Sequence, residues 1–452
     1  MKITKSLENN NILILGFGRE GKSTYAFIRK HFPNKKISIA DKNPSAFEDI
    51  LTDTNLNLIS GEQYLQSIND DYFIIKSPGI SLKDIKIPSG TTLSSQTDLF
   101  IQQYHSQIIG ITGTKGKSTT ANLIYHILQK SEKKSLIAGN MGIPLFDIID
   151  KIDSETTIVC EFSSHQLEFI KASPHIAVLL NIFQEHLDHY KDYASYQLAK
   201  LNIAKHQKNA DFFIYPKHFH IIENCIRQQP IASNIENYSN NEICEMEIKE
   251  EVFYFKGKAI GKYQEDFPLK GMHNMMNVAA AILACKHIIK DVTQIFEAVR
   301  SFQPLPHRME YIGNFCGIDF YNDSIATIPE ASLQALNALK KTGTLILGGH
   351  DRGIDYTSFM QELSKIHIEN LIFTGEAGKR MMEIHQEMKI ESNSTFFFSN
   401  EYREIVDLAY KHTPQGKICL LSPAASSYDQ FKNFEHRGNI FKELVKNQTH
   451  NI

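Results

Sequence analysis

The chain has 452 residues, which is more than one hydrophobic core normally organises, so more than one domain is expected. Its hydrophobic content of 42% and charged content of 22% are ordinary for a globular protein, and its net charge of -3 gives no reason to expect nucleic acid or an anionic membrane as a partner. No stretch approaches the roughly 20 apolar residues of a membrane span, and the N-terminus lacks the apolar core of a signal peptide, so a cytoplasmic location is expected.

The six cysteines indicate neither a disulfide framework nor a zinc site, because they lack the paired spacing that either would need. We expect reduced thiols that are mostly buried. These residues are Cys160, Cys225, Cys244, Cys285, Cys316 and Cys419.

The first glycine-rich motif follows a short apolar segment, residues 11–16, that is typical of a buried strand. Its glycines have the G-x-G-x-x-G spacing, and a second predicted strand ends at Asp41, twenty residues beyond the last of them. This spacing indicates a nucleotide-type ligand, with the acidic side chain placed for a ribose. The alternative is that the glycines only allow a strand and a helix to pack closely. The glycines are Gly16, Gly18 and Gly21.

A further turn, Ser77-Pro78-Gly79-Ile80, follows the predicted strand YFIIKS. Open α/β sheets bind ligands at the carboxyl ends of their strands, so this turn is a second candidate for ligand contact. The turn-rich stretch IPSGTTLSS near Leu93 then indicates that the first domain ends there.

The segment from Ile108 to Thr120, IIGITGTKGKSTT, combines the end of an apolar strand, a glycine-rich loop and the start of a helix. Such a loop directs backbone N–H groups toward a phosphate, and the helix N-terminus adds a positive dipole. Lys117 is expected to reach the β- and γ-phosphates, and the Ser118 hydroxyl is expected to bind Mg²⁺. Ile111 occupies the position where the common motif has its first glycine, so a Gly-Lys-Ser surface turn is the alternative.

Two predicted strands beside this loop end in polar residues. Glu161 lies near the end of the strand TTIVCEF, and His186 and Asp188 follow the strand HIAVLLNI. A carboxylate at a neighbouring strand end supplies the hard oxygen ligand that Mg²⁺ prefers. Each residue by itself is better explained as a helix cap or part of a solvated loop, and only two such ends together indicate a site.

The rest of this region contains a predicted helix at 193–206, in which Lys200 is expected on the surface. Alternating residues between 234 and 262 predict a β-hairpin. The segment GMHNMMN opens a helix that is apolar nearly all round, and its Asn274 and Asn277 share one face. That spacing suits recognition of a base edge, with ordinary capping as the alternative.

Strands and helices alternate again from Pro304 to the C-terminus, which predicts α/β domains throughout. No internal repeat or low-complexity linker interrupts them. We predict a Rossmann-like domain at 1–94, a central P-loop ATPase-like domain with a parallel sheet at 95–303, and a C-terminal Rossmann-like α/β domain at 304–452.

Several of these segments, taken together, resemble the muramyl ligase family, which joins amino acids to the growing peptidoglycan precursor. The matching motifs, in the order of the family, are GITGTKGKSTT, EFSS, HLD, HNMMN, LPHRME and NDSIAT. The resemblance covers nearly the whole chain. The segments GFGREGKS, SPGI and SPAASSYDQFKNFEHRG are similar to those of members that add D-glutamate to UDP-N-acetylmuramoyl-L-alanine.

This resemblance implies an ATP-dependent amide ligase. The γ-phosphate of ATP would phosphorylate the precursor carboxylate, and the amine of D-glutamate would attack the resulting acyl phosphate. The implied partners are small molecules only, namely ATP, UDP-N-acetylmuramoyl-L-alanine and D-glutamate, with two Mg²⁺ ions as cofactors. We expect a monomer that has no nucleic-acid or membrane partner.

The ATP and metal site is implied to lie on the phosphate loop, the neighbouring strand ends and the third region. Ser118 and Glu161 would ligate one Mg²⁺. His186 would contribute to a second ion together with Lys200, because the family carbamylates a lysine at this position and thereby converts it into a carboxylate-like ligand. The implied catalytic residues are Lys117, His186, Lys200 and Arg308. The implied ATP contacts are Gly113, Thr114, Lys115, Gly116, Lys117, Ser118, Thr119, Asn274, Asn277, Arg308 and Asp323.

The resemblance replaces the dinucleotide interpretation of the first motif, because the N-terminal domain of this family holds the uridine diphosphate of the precursor. Asp41 would then lie near the uracil ring. The implied precursor contacts are Gly16, Phe17, Gly18, Glu20, Asp41, Ser77, Asn140, Ser163 and His186.

The amino-acid substrate is expected at the ends of the last strands. Relatives commonly carry a lysine where this chain has Ile325, so the positive charge must come from another position. Arg352 is our candidate, because a guanidinium binds a carboxylate bidentately. The implied D-glutamate contacts are Thr327, Arg352, Ser427 and Phe434.

Three other functions remain open from the sequence. The G-x-G-x-x-G motif with Asp41 suits a nicotinamide-dependent oxidoreductase, which leaves the phosphate loop unexplained. A P-loop kinase or regulatory NTPase would turn over ATP without any amino acid. A relative that adds a different amino acid, including a folylpolyglutamate-type ligase, fits less well with the motif SPAASSYDQFKNFEHRG.

Overall fold

The computed structural model of the chain describes residues 1–140, 142–185, 189–217, 219–264, 267–303, 306–388 and 394–448. Its strands form three sheets in which most neighbours run parallel, and helices connect them. The predicted α/β fold class is therefore confirmed.

The first sheet has five parallel strands in the order β3-β2-β1-β4-β5. Its strands are β1 Ile12–Leu15, β2 Ile37–Asp41, β3 Leu56–Ser60, β4 Phe73–Lys76 and β5 Thr92–Ser94. The α-helices of this part are α1 Lys2–Glu8, α2 Arg19–His31 and α3 Gln96–Tyr104, with 3-10 helices at Pro44–Ile50 and Tyr64–Ser67.

The central sheet has nine strands in the order β14-β13-β12-β11-β10-β9-β6-β8-β7. Its strands are β6 Ile108–Thr112, β7 Ser135–Gly139, β8 Thr157–Glu161, β9 Ile176–Leu179, β10 Phe212–Pro216, β11 Asn234–Ser239, β12 Met246–Lys249, β13 Val252–Phe255 and β14 Lys258–Lys262. Its helices are α4 Lys117–Lys130, α5 Ser164–Leu167, α6 Tyr193–Lys205, α7 His220–Gln228, α8 Met272–Cys285 and α9 Val292–Arg300, with 3-10 helices at His105–Gln107 and Leu145–Lys151.

The region predicted as a hairpin contains more strands than the prediction allowed. β11 pairs in parallel with β10, and β12, β13 and β14 form an antiparallel meander that extends the same sheet. Alternation of apolar and polar residues indicates strands but does not count them, because a tight turn leaves little mark on the pattern.

The third sheet has six strands in the order β15-β16-β20-β17-β18-β19, and only the pair β15 and β16 is antiparallel. Its strands are β15 Glu310–Phe315, β16 Ile318–Asn322, β17 Thr342–Gly348, β18 Asn370–Thr374, β19 Thr395–Phe398 and β20 Ile418–Leu421. Its helices are α10 Pro329–Ala338, α11 Thr357–Ser364, α12 Gly375–Glu387, α13 Tyr402–His412 and α14 Phe434–Gln448.

The chain divides into two compact units. One comprises Met1–Phe267 and His273–Phe302 and contains the first and central sheets, and the other comprises Pro268–Met272 and Gln303–Ile452. The three predicted domains have one sheet each, but the boundaries at 94 and 303 stay predictions.

The cores follow from the apolar runs. Every residue of β1 and β6 is buried, as expected for parallel strands that are covered on both faces. Helix α8 is buried without a break from Asn277 to Cys285, which confirms the prediction from its apolar sequence.

Four of the six cysteines are buried, and all six are free thiols. Among the described residues, no helix combines the length and the apolar character needed to cross a bilayer.

Candidate active site

The phosphate loop of the first unit connects the buried strand β6 to helix α4. Gly116 is the residue before the helix and has a left-handed backbone with φ +86°. A Cβ on Gly116 would lie 2.6 Å from Oδ1 of Asn277, so only glycine fits there. The helix begins at Lys117, which leaves the N–H groups of its first turn directed at the loop.

Side chains from the end of β9 hold the loop in shape. Asn181 accepts a hydrogen bond from the Lys115 N–H (2.9 Å) and donates one to the Lys115 carbonyl (3.0 Å). The Thr114 hydroxyl lies 2.9 Å from the Tyr196 hydroxyl and accepts from the Phe183 N–H (2.9 Å). The loop backbone is therefore fixed before any ligand binds. Asn181 was missed by the sequence reasoning, although a polar residue right after an apolar strand was the available signal.

Two lysine amines converge on one backbone oxygen of the loop. Lys117 Nζ donates to the carbonyls of Gly113 and Thr114, both at 2.9 Å, and Lys200 Nζ donates to the carbonyl of Gly113 at 2.8 Å. A third cation, Lys115, pairs with Glu185 at 2.7 Å. The structure thus brings three predicted site lysines together around the loop.

The expectation from sequence that Lys200 lies on the surface is wrong. Lys200 is 2% exposed, and its amine lies over the Tyr196 ring, 5.0 Å from the centroid. Burial lowers the pKa of this amine well below its ordinary value, and the charge of Lys117 lowers it further. The physical reason is periodicity: Lys200 lies four residues after Tyr196 and three before Ile203, so it shares their buried helix face.

Glu161 occupies the end of β8, next to the loop, because its strand neighbour is Ile111 of β6. The side chain is 1% exposed, and its Oε1 accepts from Asn140 Nδ2 at 2.8 Å. Its Oε2 is buried and has no hydrogen-bond partner among the residues that the structure describes. A buried carboxylate oxygen in that state is costly unless a ligand satisfies it, so the site fits a hard cation such as Mg²⁺.

Ser118 and Thr119 lie in the first turn of α4, where Ser118 is half-buried and Thr119 is buried. Asn274 and Asn277 lie in the first two turns of α8 and are both buried. Asn277 Nδ2 donates to Asn274 Oδ1 at 3.1 Å, and the contact of Asn277 with Gly116 places this pair against the loop. The pair is therefore part of the same site and does not merely cap a distant helix.

The glycine motif of the first sheet is packed tightly. Gly16 has φ +91°, and a Cβ there would lie 2.9 Å from the side chains of both Ser77 and Ile80. The Ser77 hydroxyl donates to the Gly16 carbonyl at 2.7 Å. Asp41 Oδ2 accepts from the Phe17 N–H at 2.6 Å. The predicted contacts Gly16, Phe17, Asp41 and Ser77 thus form one cluster, with Gly18 exposed beside it.

Glu20 links this cluster to the central sheet. Its Oε1 accepts from Gln166 Nε2 at 2.6 Å, and Gln166 in turn forms a capping box with Ser163 at the start of α5. Burial raises the pKa of Glu20 to about 6, and within the described part of the chain its Oε2 has no hydrogen-bond partner. The predicted precursor contacts Glu20 and Ser163 are therefore connected through Gln166, an additional residue that the sequence reasoning missed. The predicted contact His186 falls outside the described residues.

In the second unit, Asp323 directly follows β16. Its Oδ2 accepts from the Ser422 hydroxyl at 2.8 Å and its Oδ1 from the Met309 N–H at 3.1 Å. Burial raises the pKa of this carboxyl to about 7, against the lowering effect of the Arg308 charge. Arg308 and Asp323 are thus electrostatic neighbours within this unit.

The candidate amino-acid residues follow the strands and begin the last helix of the second unit. Arg352, in the loop after β17, donates from Nη2 to the carbonyl of Thr327 at 2.9 Å, so its exposed guanidinium lies against the loop that contains Ile325. Ser427 is 2% exposed, and Phe434, half-buried, begins α14. The structure therefore brings Arg352 and Thr327 into contact.

One buried arginine, missed by the sequence reasoning, joins the strand ends of this region. Arg437 is 1% exposed, and its partners among the described residues are oxygens at the end of β17 and in the loops after β16 and β20. The acceptors are Ser324 Oγ (2.9 Å) and the carbonyls of Ser324 (2.8 Å), Ala425 (3.1 Å), Ser426 (3.1 Å) and Gly348 (3.5 Å). The sequence analysis noted the FEHRG segment that contains Arg437, but a local pattern could not predict contacts with residues so distant in the sequence.

Two family profiles match the chain, the Mur ligase middle domain over residues 111–285 and the Mur ligase glutamate ligase domain over residues 307–425. The chain is 32% identical to a UDP-N-acetylmuramoylalanine--D-glutamate ligase from Clostridium kluyveri, over 96% of this chain and 95% of that protein. It is also 32% identical to a ligase of the same name from Pediococcus pentosaceus, over 99% of both chains.

Solved structures agree on the fold. A MurF ligase from Thermotoga maritima in complex with ADP aligns with TM-score 0.60 and 16% identity over 97% of this chain and 99% of that chain. A MurF from Acinetobacter baumannii aligns with TM-score 0.61 and 17% identity over 80% and 84%. Together with the profiles and the relatives, these results show that the chain belongs to the Mur ligase family, a family of ATP-dependent ligases.

Proposed function

We propose that this chain joins D-glutamate to UDP-N-acetylmuramoyl-L-alanine in peptidoglycan precursor synthesis and releases ADP and phosphate. One structural observation carries the proposal: a pre-shaped phosphate loop lies beside the unsatisfied carboxylate oxygen of Glu161 and the buried amine of Lys200. Relatives named for this reaction, at 32% identity over nearly the whole chain, support the choice of substrates.

The chemistry requires activation, because a carboxylate does not acylate an amine in water at a useful rate. We propose that the precursor carboxylate takes the γ-phosphoryl group of ATP. The amine of D-glutamate then attacks the carbonyl carbon of the acyl phosphate, and cleavage of the C–O bond releases phosphate. Lys117 and the first-turn N–H groups of α4 neutralise negative charge on the phosphates during these steps.

Mg²⁺ would be held by Glu161 and Ser118 and would supply positive charge to the phosphate oxygens. The proposal for Glu161 rests on its buried, unpartnered Oε2. His186 remains our candidate for a second ion, although it lies outside the described residues. Within the site, Asn140 orients Glu161 by its hydrogen bond to Oε1.

We further propose that Lys200 is carbamylated. A neutral amine is the form that attacks CO₂, and burial of Lys200 favours that form by lowering its pKa. The new C–N bond yields a carbamate anion and one proton. The product has the oxygen ligands of a carboxylate, which the loop cations Lys115 and Lys117 would stabilise.

We propose that the loop from Gly113 to Thr119 contacts the phosphates of ATP. Asn274 and Asn277 are proposed to contact the adenine base. Arg308 and Asp323 are proposed ATP contacts contributed by the second unit. The pair Asn274 and Asn277 has the amide donors and acceptors that recognise a base edge, and its contact with Gly116 supports the assignment.

The precursor is assigned to the cluster of Gly16, Phe17, Gly18, Glu20 and Ser77, with Asn140 and Ser163 beside it. The N–H groups at the start of α2 favour a diphosphate there. Asp41 is the proposed uracil neighbour, and its hydrogen bond to the Phe17 N–H would fix its orientation.

D-Glutamate is assigned to Thr327, Arg352, Ser427 and Phe434. Arg352 is proposed to supply the positive charge for a substrate carboxylate, because its guanidinium is exposed and contacts the loop of Ile325 at the Thr327 carbonyl. The enzyme is proposed to act as a monomer.

The test is phosphate release by the full-length protein with ATP, Mg²⁺ and UDP-N-acetylmuramoyl-L-alanine. D-Glutamate is compared with L-glutamate, L-lysine and no amino acid. We expect release that depends on both precursor and D-glutamate, and its loss in Lys117→Ala but not in Lys133→Ala, which changes an exposed lysine after α4. Phosphate release without an amino acid would indicate an NTPase. Phosphate release that depends on another amino acid would indicate a Mur ligase with a different amino-acid substrate.

A further inference from the structure

A second cluster of metal-ligating side chains lies at the end of the central sheet opposite the phosphate loop. His105 begins the 3-10 helix before β6, His175 directly precedes β9, and Asp211 directly precedes β10. β10, β9 and β6 are parallel neighbours, so their amino ends meet at one edge. We call these three residues the amino-edge cluster. None of them belongs to the site proposed above.

The ligand atoms of the cluster converge on one oxygen. His105 Nε2 lies 3.2 Å and His175 Nδ1 lies 2.7 Å from Asp211 Oδ1, and one ligand atom from each residue lies within 4.8 Å of the others. Two imidazoles and a carboxylate are a ligand set that zinc uses, with a water in the fourth position. Bonds of about 2.0–2.1 Å in a tetrahedral site separate ligand atoms by about 3.3 Å. The His105–Asp211 distance of 3.2 Å already fits this value, whereas the His175–Asp211 contact of 2.7 Å has to widen.

Hydrogen bonding fixes the tautomer of His105. Its Nδ1 lies 2.5 Å from the carbonyl oxygen of Ser173, which can only accept, so Nδ1 carries the proton. Nε2 of the neutral ring is then a lone pair that faces Asp211 Oδ1. Two acceptors at this distance repel each other unless a proton or a metal cation lies between them. The space between His105 Nε2 and Asp211 Oδ1 is therefore suited to a metal ion.

The cluster is also held in the orientation that a metal needs. Asp211 Oδ2 accepts from the Lys208 N–H at 2.7 Å, which turns Oδ1 toward the histidines. Ligating histidines usually donate their other N–H to a carbonyl, as His105 does to Ser173. The Asp211 side chain is 3% exposed, whereas those of His105 and His175 are 33% and 30% exposed, so an ion can enter from solvent.

We propose that the amino-edge cluster binds one divalent transition-metal ion of the zinc type, through His105 Nε2, His175 Nδ1 and Asp211 Oδ1. The ion would lie between His105 Nε2 and Asp211 Oδ1 and remove their repulsion. It would also link three segments that directly precede neighbouring strands. Its ligands are distinct from the oxygen-rich magnesium site at the other end of the sheet. The role assigned to it is to stabilise the first unit, because an ion that binds only the folded state shifts unfolding by mass action.

The experiment uses the full-length protein with Cys316→Ser, because Cys316 is exposed and its thiol would bind zinc by itself. The protein is saturated with Mg²⁺, incubated with excess Zn²⁺ and passed through gel filtration, and retained zinc is measured by mass spectrometry of the metal. We expect about one zinc per chain and a melting temperature several degrees higher than without zinc.

Added in the same background, His105→Gln and His175→Gln should each abolish zinc retention and the rise in melting temperature. His220→Gln is the matched control, because His220 is an exposed histidine that also pairs with a carboxylate, Glu223, outside the cluster. Zinc retained equally in His105→Gln, or no zinc retained by the parent, would overturn the proposal.

A second measurement does not depend on how the variants fold. Co²⁺ replaces Zn²⁺ in the Cys316→Ser parent, and the visible spectrum is recorded with Mg²⁺ present. Tetrahedral nitrogen and oxygen ligation predicts d–d absorption without a thiolate charge-transfer band. A thiolate band, or no change in the spectrum, would contradict the proposed ligand set.

Discussion

The amines of Lys117 and Lys200 donate hydrogen bonds to the same backbone carbonyl, that of Gly113, at 2.9 and 2.8 Å. Lys117 is half-buried at the start of α4, whereas Lys200 is 2% exposed. Two cations beside one carbonyl repel each other, and burial further disfavours the charge on Lys200. The neutral form of Lys200 is therefore the form that this loop favours.

Replacement of Lys200 by methionine should make the protein more stable and inactive. In CO₂-free buffer, the folded state of the wild type has to desolvate or deprotonate this amine, and methionine avoids that cost. The unfolded chain holds the proton up to the ordinary pKa of 10.5, so wild-type stability rises with pH and the advantage of methionine shrinks toward that pH. Thermal unfolding at several pH values measures this.

The activity of Lys200→Met should fall by about 100-fold or more, the usual cost of removing one preorganised electrostatic group. Bicarbonate should raise the melting temperature and activity of the wild type but not of this variant, if the amine is carbamylated. Lys205→Met, which alters an exposed lysine of the same helix, should behave like the wild type. Equal responses of Lys200→Met and wild type to bicarbonate would contradict carbamylation.

Glu161→Gln should weaken magnesium binding without unfolding the protein. The amide keeps an oxygen for Asn140 Nδ2, but its NH₂ group replaces the unpartnered Oε2 and cannot ligate a cation. We expect activity about 100-fold lower at moderate Mg²⁺, with partial recovery at high Mg²⁺. Titration of activity with Mg²⁺ checks this, with the exposed Glu155→Gln as control. An unchanged magnesium dependence would remove Glu161 from the metal site.

Arg352→Ala should raise KM for D-glutamate by about 10- to 100-fold and leave kcat nearly unchanged. That range corresponds to about 1.5–3 kcal/mol for a hydrogen bond to a charged group. Adding Ile325→Lys should restore part of the affinity, because it supplies a cation from the loop whose Thr327 carbonyl Arg352 contacts. The exposed Arg403→Ala is the control. A KM that does not respond to Arg352→Ala would place the carboxylate elsewhere.

Asp323 should make the stability of the second unit depend on pH. Its pKa is raised from 3.8 to about 7 by burial, so between these values the folded state holds a proton that the unfolded chain has released. Stability therefore falls as pH rises through this window, by at most about 4 kcal/mol at 1.36 kcal/mol per pH unit.

Asp323→Asn should remove this slope, which denaturant unfolding at pH 4 to 7 would show as a difference from wild type. Asp319→Asn, a substitution in β16 at a partly buried aspartate, is the control. Identical slopes for Asp323→Asn and wild type would mean that the Asp323 carboxyl is ionised throughout this range.

Much of the fold followed from the sequence because the apolar runs of buried parallel strands are unambiguous. The ends of β6 and β8 located the phosphate loop and Glu161, since parallel strands bring their carboxyl ends to one edge. Strand number in the meander did not follow, because alternation marks strands but not their turns.

Side-chain environments were harder to predict. Lys200 was assigned to the surface from its residue type, although its spacing from Tyr196 and Ile203 already placed it on the buried face. The hydrogen bonds between Asn181 and Lys115 join positions 66 residues apart, and Arg437 binds Ser324, 113 residues away in the sequence. Local patterns contain no information on such pairs, which only the assembled sheets bring together.

Arg437 has a consequence for changing the amino-acid choice of this enzyme. A guanidinium has five N–H donors, and here they meet four backbone carbonyls and the Ser324 hydroxyl. Because most of these acceptors are backbone atoms, the hydrogen bonds of Arg437 depend little on which side chains the loops carry. A redesign that varies the proposed amino-acid contacts at positions 325, 327 and 352 should therefore keep Arg437, because its hydrogen bonds hold the main chain of these loops.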